Sequence, residues 1–127
     1  MNPHKDKLET LFKLRSSFMK ELEAQKPGSY PAWPISITEK KSQQLLRDTA
    51  LKGIEEMFEA LQHLKNWKPH RDTVVDDFNH DEFLEEVVDA FNYFLSMLVL
   101  VGVNEEDFFK AYLEKDKIIR DRLLSGY

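Results

Sequence analysis

The stretch VVDAFNYFLSMLVLVGV, residues 87–103, is the most apolar part of the chain. Apolar side chains occupy nearly every position from Val87 to Val101, so a helix through this stretch has almost no polar face and must be covered on every side. In a chain of 127 residues, the remaining helices can hardly enclose it. The stretch therefore predicts a homodimer with this helix near the interface, a prediction that a monomeric mass by light scattering would refute.

The same stretch and the overall composition exclude several classes of protein. Asp89, Asn92, Ser96 and Gly102 interrupt the apolar run, which falls short of the ~20 apolar residues needed to cross a bilayer. Residues 1–12 lack the apolar core of a signal peptide, so we expect a cytoplasmic protein with no membrane contact. A net charge of -5 without a basic stripe argues against nucleic acid as a ligand. The absence of cysteine excludes disulfides, zinc ribbons and thiol nucleophiles.

Apolar periodicity predicts four helices, because apolar residues recur at the spacing of one helix face outside the central stretch as well. Thr38 and Asn104 are predicted N-caps, Asn79 with Glu82 resembles a capping box, and Gly102 suits a C-terminal cap. The predicted helices cover residues 5–25, 39 to about 67, 79–101 and 105 to about 124. The fold class is therefore all-α, a single domain over residues 1–127 forming an antiparallel four-helix bundle.

Two segments are predicted to connect these helices without helical structure. Residues 26–36 contain three of the five prolines, and residues 68–80 form a polar loop. We expect Tyr30 and Trp33 to pack the first connection onto the bundle, with stacking on a ligand as the alternative. Gly53 weakens the middle of the second helix and is interpreted as the mark of a close helix crossing.

Two pairs of acidic residues could bind a metal ion. Glu56 with Glu59, and Glu86 with Asp89, are each three residues apart and therefore share a helix face. Asp89 lies inside the apolar stretch, where an unpaired ionised carboxylate would be costly. Counting outward from the loop places Glu59 level with Asp89 in an antiparallel hairpin. We expect the four carboxylates to converge across a helix gap of roughly 8 to 10 Å.

Basic residues of the fourth helix could complete a phosphate site. Counting across the turn near Val103 puts Asp89 level with Lys117 and Glu86 level with Arg120. Clustered oxygen ligands select a hard ion such as Mg²⁺, and adjacent Lys and Arg suit phosphate oxygens, which together suggest a metal-bound polyphosphate. In the alternative interpretation, these cations only stabilise the helix end and form salt bridges with the acids. The basic residues are Lys115, Lys117, Arg120 and Arg122.

Histidine supplies no recognisable metal motif. The Glu-x-x-His pattern of di-iron bundles is missing from the second and third predicted helices. His4, His63, His70 and His80 are accordingly interpreted as surface or packing residues.

The order of the acidic motifs resembles a known family. EExxE at residues 55–59 followed by ExxD at residues 86–89 is similar to the signature of the all-α nucleoside triphosphate pyrophosphohydrolases. That superfamily includes MazG-like enzymes, the dCTP pyrophosphatases and the dimeric dUTP pyrophosphatases. The resemblance covers about residues 49–127 and implies a MazG-like, dimeric dUTPase-like fold. Matches to the dimeric dUTPase subgroup are NWK at 66–68, VDAFNYFLSMLVLVG at 88–102 and AYLEKDKIIRDRLLSGY at 111–127.

The chain also departs from that subgroup. Asp116, Ile119 and Leu123 stand where the subgroup has Asn, Asn and Gln. Residues 13–19 offer no equivalent of the Gln and Asn that help to read uracil there. The resemblance therefore implies dUTP, dCTP or modified pyrimidine nucleotides as substrates, without strict selection of uracil.

The resemblance implies an enzyme of nucleotide metabolism. In the implied reaction, water attacks the α-phosphorus of a nucleoside triphosphate and yields the monophosphate and pyrophosphate. The implied cofactor is Mg²⁺, with Mn²⁺ as a substitute, held by Glu56, Glu59, Glu86 and Asp89; Glu56 or Glu59 is the implied catalytic base. Trp67 is an implied base-stacking residue, with a place in the core at the helix end as the alternative. The implied substrate-binding residues are Trp67, Lys68, Asn92, Lys115 and Arg122.

A different function class remains open at this point. The chain could be a catalytically inactive family member whose dimer serves as a helical interaction module. The departures at Asp116, Ile119 and Leu123 support that alternative. The intact set of four acids opposes it, because converging carboxylates without a cation repel one another.

Overall fold

The computed structural model describes residues 6–126, which form four α-helices and contain no β-strand. The all-α class is thereby confirmed, while the bundle topology and the dimer stay predictions. The predicted helix start at Lys5 lies outside the described residues. The helices are α1 (Lys7–Gln25), α2 (Lys40–Leu61), α3 (His80–Leu100) and α4 (Glu105–Ser125).

The chain divides into two compact units, each of which is described by itself. The terminal unit comprises Met1–Ile35 together with Leu98–Tyr127, and the central unit comprises Ser36–Met97. The prediction of one domain over residues 1–127 stays a prediction. No single helix among the described residues has both the length and the apolar composition that a membrane span requires.

In the terminal unit, α1 lies beside α4. The ring of Phe12 on α1 is 6.2 Å from that of Phe108 on α4, and Met19 is fully buried. The side chain of Asp6 begins α1 by accepting a 3.0 Å hydrogen bond from the backbone N–H of Glu9. These contacts bury one face of a helix whose other positions are largely exposed.

The connection after α1 has no helix, as predicted, and its course is fixed by hydrogen bonds. The carboxylate of Glu23 accepts backbone N–H groups from Gly28 at 2.9 Å and Tyr30 at 2.8 Å. The N–H of Ile35 donates to the carbonyl of Leu100 at 2.8 Å. Trp33 is half-buried, in agreement with its predicted packing role.

Three of the predicted helix caps are confirmed. Oδ1 of Asn79 accepts the N–H of Glu82 at 3.1 Å, and Oδ1 of Asn104 accepts the N–H of Asp107 at 2.9 Å. Gly102 has a φ of 80°, a left-handed conformation that glycine adopts without strain. These caps set the limits of α3 and the start of α4.

The predicted limits of α2 are wrong at both ends. The N-cap is Glu39 rather than Thr38, and it makes no side-chain capping bond. The helix ends at Leu61, several residues before the predicted end near Trp67. The N–H of His63 donates to the carbonyl of Ala60 at 3.2 Å, a shorter-range bond that tightens and closes the last turn.

In the central unit, α2 and α3 run antiparallel and approach closely at Gly53. A Cβ atom added at Gly53 would lie 3.0 Å from the Phe94 ring and 3.2 Å from the carbonyl oxygen of Ala90. The prediction of a close crossing at Gly53 is thus confirmed. The crossing brings the acidic pairs of the two helices to the same level.

Large apolar side chains of the central unit remain exposed. On α3, Val88 is 51% exposed and Phe91 is 57% exposed, although the sequence requires this helix to be covered on every side. On α2, Phe58 is 60% exposed. Large apolar side chains exposed to solvent are typical of surfaces that bind another protein when they form a continuous patch.

Candidate functional site

Four carboxylates converge between α2 and α3, and we call them the acidic cluster: Glu56, Glu59, Glu86 and Asp89. The charges of the other three members all act on Glu56, and Glu59 also forms a hydrogen bond with it. Convergence follows from the helix geometry, because each pair shares one face and the antiparallel register brings the two faces together.

The pKa of Glu56 lies above its ordinary value. Burial is the largest cause, since partial removal from water disfavours the ionised form. Glu59 raises the pKa of Glu56 further, both by repulsion between the two charges and by a hydrogen bond between the two side chains. Repulsion by Asp89 and Glu86 adds to this increase. The ionised form of Glu56 is therefore disfavoured both by burial and by the other acids of the cluster.

Burial within the acidic cluster is uneven. Glu56 and Glu86 are half-buried, whereas Glu59 and Asp89 are exposed. The expectation that Asp89 is the costly buried acid is therefore wrong. Asp89 occupies an exposed position of α3 despite its apolar neighbours in sequence, and the shielded oxygen is Oε2 of Glu86.

His63 lies directly against the acidic cluster. Its Nε2 is 2.8 Å from Oε2 of Glu86, and the two side chains are 22% and 30% exposed. Despite this short contact, which lacks the geometry of a hydrogen bond, Oε2 has no hydrogen-bond partner among the described residues. The interpretation of His63 as a surface or packing residue missed this contact. A sequence signal exists, because His63 follows Glu59 by one helical turn and the same hairpin counting puts it level with Glu85.

The α3 side of the cluster also borders a concave acidic surface. Glu82 and Glu85 line it together with Glu86 and Asp89, around a volume of about 490 Å³. Glu82 and Glu85 did not emerge as site residues from the motif spacing. Their charges add to the negative potential at this point of the surface.

The residues fit a hard divalent cation. Within residues 6–126, no group of three or more acidic or histidine side chains already stands in a metal-binding arrangement. The acidic cluster nevertheless offers only carboxylate oxygens, which are the donors that Mg²⁺ prefers. Oε2 of Glu86 is shielded from solvent with the His63 imidazole as its sole close partner among the described residues, so this oxygen needs a cation or a donor.

The other predicted site residues of the central unit lie in the loop after α2 and in the middle of α3. Trp67 follows the end of α2 and is 68% exposed, so the alternative of a core position is wrong. The ammonium group of Lys68 lies 5.7 Å from the Trp67 ring centroid, within range of a cation–π interaction. Asn92 is half-buried on α3, one turn beyond Asp89. Trp67 and Phe58 also border an apolar pocket at the end of α2.

The basic residues predicted to bind phosphate belong to the terminal unit. Lys115 and Arg122 occupy exposed positions of α4, and their contact with the acidic cluster stays a prediction. Arg120 donates to Asp116 at 2.7 Å within α4, a pairing of residues four apart on one helix face. One basic residue of the predicted set is therefore paired with a carboxylate of its own helix.

Comparison with known proteins adds no family assignment. The geometry of the acidic cluster is the evidence on which a function has to be argued. No family model, curated protein or solved structure gives a significant match to the chain.

Proposed function

We propose that the protein is a Mg²⁺-dependent nucleoside triphosphate pyrophosphohydrolase, similar to the MazG-like and dimeric dUTPase-like enzymes. It would convert a nucleoside or deoxynucleoside triphosphate and water into the monophosphate and pyrophosphate. The observation that carries this proposal is the convergence of the acidic cluster, in which burial and then the charges of Glu59, Asp89 and Glu86 raise the pKa of Glu56. Four acids held together without a balancing cation weaken a fold, and binding a divalent ion removes that repulsion.

The acidic cluster would hold the metal ion. When bound, Mg²⁺ neutralises charge on the triphosphate and lowers the pKa of a coordinated water. Glu86 and Asp89 would supply ligands from α3, while Glu56 and Glu59 would supply them from α2. Mn²⁺ takes similar oxygen ligands and would substitute for Mg²⁺.

Glu56 and Glu59 are the proposed bases for the attacking water. A general base works best when its pKa lies near the working pH, and the pKa of Glu56 is displaced in that direction by burial and by its acidic neighbours. Glu59 is exposed and hydrogen-bonds Glu56, so it would orient the water or accept the proton in turn. Either residue would take its proton as the oxygen–phosphorus bond forms and pyrophosphate leaves.

The remaining residues would bind the nucleotide. Trp67 presents a largely exposed ring on which a pyrimidine base could stack, with Lys68 beside it. Asn92 would hydrogen-bond the substrate close to the acidic cluster. Lys115 and Arg122 of α4 would bind phosphate oxygens, for which their permanent positive charges are suited.

We also propose a homodimer, because the central unit leaves large apolar side chains on α2 and α3 in contact with water. Val88, Phe91 and Phe58 are each more than half exposed. The same exposure favours the second candidate function, an inactive helical interaction module. The two candidates differ at the acidic cluster, which only an enzyme requires.

The test is a Mg²⁺ titration of thermal stability combined with a screen for pyrophosphate release. Mg²⁺ at about 100 times its Kd would stabilise an enzyme by about 2.7 kcal/mol and raise Tm by several degrees. A panel of canonical and modified nucleoside triphosphates would identify the substrate.

Matched variants make this test specific for the site. Asp89→Asn removes one charge from the acidic cluster, and Asp48→Asn removes one from an exposed position of α2 outside the cluster. The enzyme assignment requires Asp89→Asn to lose both the Mg²⁺ response and the pyrophosphate release, while Asp48→Asn keeps both. A wild-type protein without either response would favour the interaction module.

A further inference from the structure

Two exposed stripes of large apolar side chains run along the hairpin of α2 and α3, and we call them together the apolar face. Their members are 44% to 60% exposed and follow one another at alternating spacings of three and four residues. That spacing is typical of a helix that packs lengthwise against other helices. The α2 stripe is Leu51, Ile54, Phe58 and Leu61, and the α3 stripe is Leu84, Val88 and Phe91.

The two stripes lie level with each other. The close approach of Gly53 to Ala90 and Phe94 fixes the register of the two antiparallel helices. Counting outward from this crossing in both directions gives three layers, each with one residue from either helix. The layers are Ile54 with Phe91, Phe58 with Val88, and Leu61 with Leu84. Such layers form the core of a four-helix bundle, of which this hairpin supplies two helices.

The apolar face lies on the side of the hairpin away from the acidic cluster. Successive residues of a helix are about 100° apart, so the stripe residues are rotated roughly 80–160° from the residue at the crossing, Gly53 or Ala90. The acidic residues are rotated from it by roughly 40–120° in the opposite sense. Because the helices are antiparallel, equal rotational senses point to the same side of the hairpin. A partner bound to the apolar face therefore leaves the acidic cluster uncovered.

The apolar face is large enough for a stable interface. Seven large side chains, each about half exposed, present on the order of 700 Å² of apolar surface, which exceeds the largest patch of a typical monomer, about 300–600 Å². The face continues into a pocket of about 710 Å³, which Phe58 and Leu61 line together with Leu64 and Trp67. A stable protein interface buries about 800 Å² on each partner, which the apolar face and this pocket can supply together.

We propose that the apolar face binds the same face of a second copy of this chain, so that two hairpins of α2 and α3 form a four-helix interface. The layers require a partner that presents apolar layers on neighbouring helices, and a second copy presents them at the same spacing. A two-fold axis places one surface patch against itself, so one kind of contact covers both stripes in both copies. This inference deepens the proposed homodimer by naming its interface, and it depends neither on the metal ion nor on the reaction.

The experiment measures the mass of the full-length protein over a range of concentrations by sedimentation equilibrium. Phe58→Glu and Phe91→Glu each place a charge within the apolar face. Val74→Glu is the matched control, because Val74 is 89% exposed and lies in the loop between α2 and α3. Circular dichroism verifies that each variant is folded.

A second measurement avoids a charge in the interface. The chain has no cysteine, so Val88→Cys and Val74→Cys each introduce a single thiol. The rate of alkylation by iodoacetamide then reports how accessible that thiol is. In the proposed dimer, the thiol of Val88→Cys becomes protected as the protein concentration rises, whereas the thiol of Val74→Cys does not. This measurement decides the question if the glutamate variants fail to fold.

We expect dimers of wild type and Val74→Glu, and a dimer Kd at least about 30-fold higher for Phe58→Glu and Phe91→Glu, the effect of losing a central interface side chain. Alkylation of Val88→Cys should slow at least about 10-fold between protein concentrations well below and well above the dimer Kd. A monomeric wild-type protein, including one that binds only a different protein, would overturn the inference. Glutamate variants that dimerise like wild type, or a thiol of Val88→Cys that reacts equally at all concentrations, would also overturn it. Because no readout involves Mg²⁺ or triphosphate, the enzymatic proposal stands or fails separately.

Discussion

Replacing Gly53 by alanine tests how closely α2 and α3 must approach. In an unobstructed helix, alanine is more stable than glycine by about 1 kcal/mol. At Gly53 the added Cβ would lie 3.0 and 3.1 Å from Phe94 ring atoms and 3.2 Å from the Ala90 carbonyl oxygen. The ring can rotate away, but the carbonyl belongs to the α3 backbone and moves only if the helix moves.

The expected magnitude follows from these two opposing effects. Overpacking a close contact by one methyl group typically costs 1–3 kcal/mol. Subtracting a propensity gain of about 1 kcal/mol leaves a net loss of about 1 kcal/mol in the free energy of unfolding. Because a displaced α3 also moves Glu86 and Asp89, Gly53→Ala should weaken Mg²⁺ binding as well.

The assay is urea unfolding followed by far-UV circular dichroism, with an internal control for helix propensity. Lys52 is an exposed neighbour on α2, so comparing Lys52→Ala with Lys52→Gly gives the propensity difference without any steric contribution. The steric cost at Gly53 is obtained by subtraction. It equals the propensity difference measured at Lys52 minus the increase in the free energy of unfolding that Gly53→Ala produces. A Gly53→Ala protein more stable than wild type by the full propensity difference would refute the close crossing.

The remaining predictions concern single carboxylates. Glu59→Gln or Asp89→Asn should abolish pyrophosphate release while far-UV circular dichroism stays unchanged, and full activity in either variant would contradict the proposed function. Burial and acidic neighbours raise the pKa of Glu56, so the folded state binds protons more readily than the unfolded state; metal-free protein should gain stability as the pH falls from neutral toward 4.5. Glu56→Gln should flatten that gain in chemical denaturation measured across pH. Hydrogen bonds from the backbone N–H groups of Tyr30 and Gly28 lower the pKa of Glu23, so Glu23→Gln should destabilise the protein at pH 7, and the difference should fade as the pH falls below about 4.5.

Sequence periodicity predicted the features that depend on local chemistry. Helix α3 was recognisable from its apolar content, and its limits from Asn79 and Gly102, because capping is decided by neighbouring residues. The proximity of Glu86 and Asp89 to Glu56 could also be predicted, since two antiparallel helices joined by one loop have a register that can be counted outward from the loop. In each case, the relevant interaction spans one turn or one hairpin.

Periodicity failed for the end of α2, for the exposure of Asp89 and for the position of His63. The apolar pattern continues through Leu64, yet α2 ends at Leu61 and its last turn is closed by shorter-range hydrogen bonds. The exposure of Asp89 was not predictable from its apolar neighbours, because exposure depends on which side of α3 meets α2. His63 was not predicted as a site residue because no metal motif contains it, although counting along the hairpin places it level with Glu85.

The charge of the acidic cluster would link the stability of the protein to the proposed metal binding. Among the described contacts of the cluster, His63 is the one basic partner, and it touches Glu86 alone. The raised pKa of Glu56 reflects burial together with repulsion that remains unrelieved. Protonation could relieve the repulsion in acid, but at neutral pH a bound cation is the effective means. Removing the charge of Glu56 should therefore stabilise the metal-free protein and weaken its stabilisation by Mg²⁺, so that the same substitution has opposite effects with and without the ion.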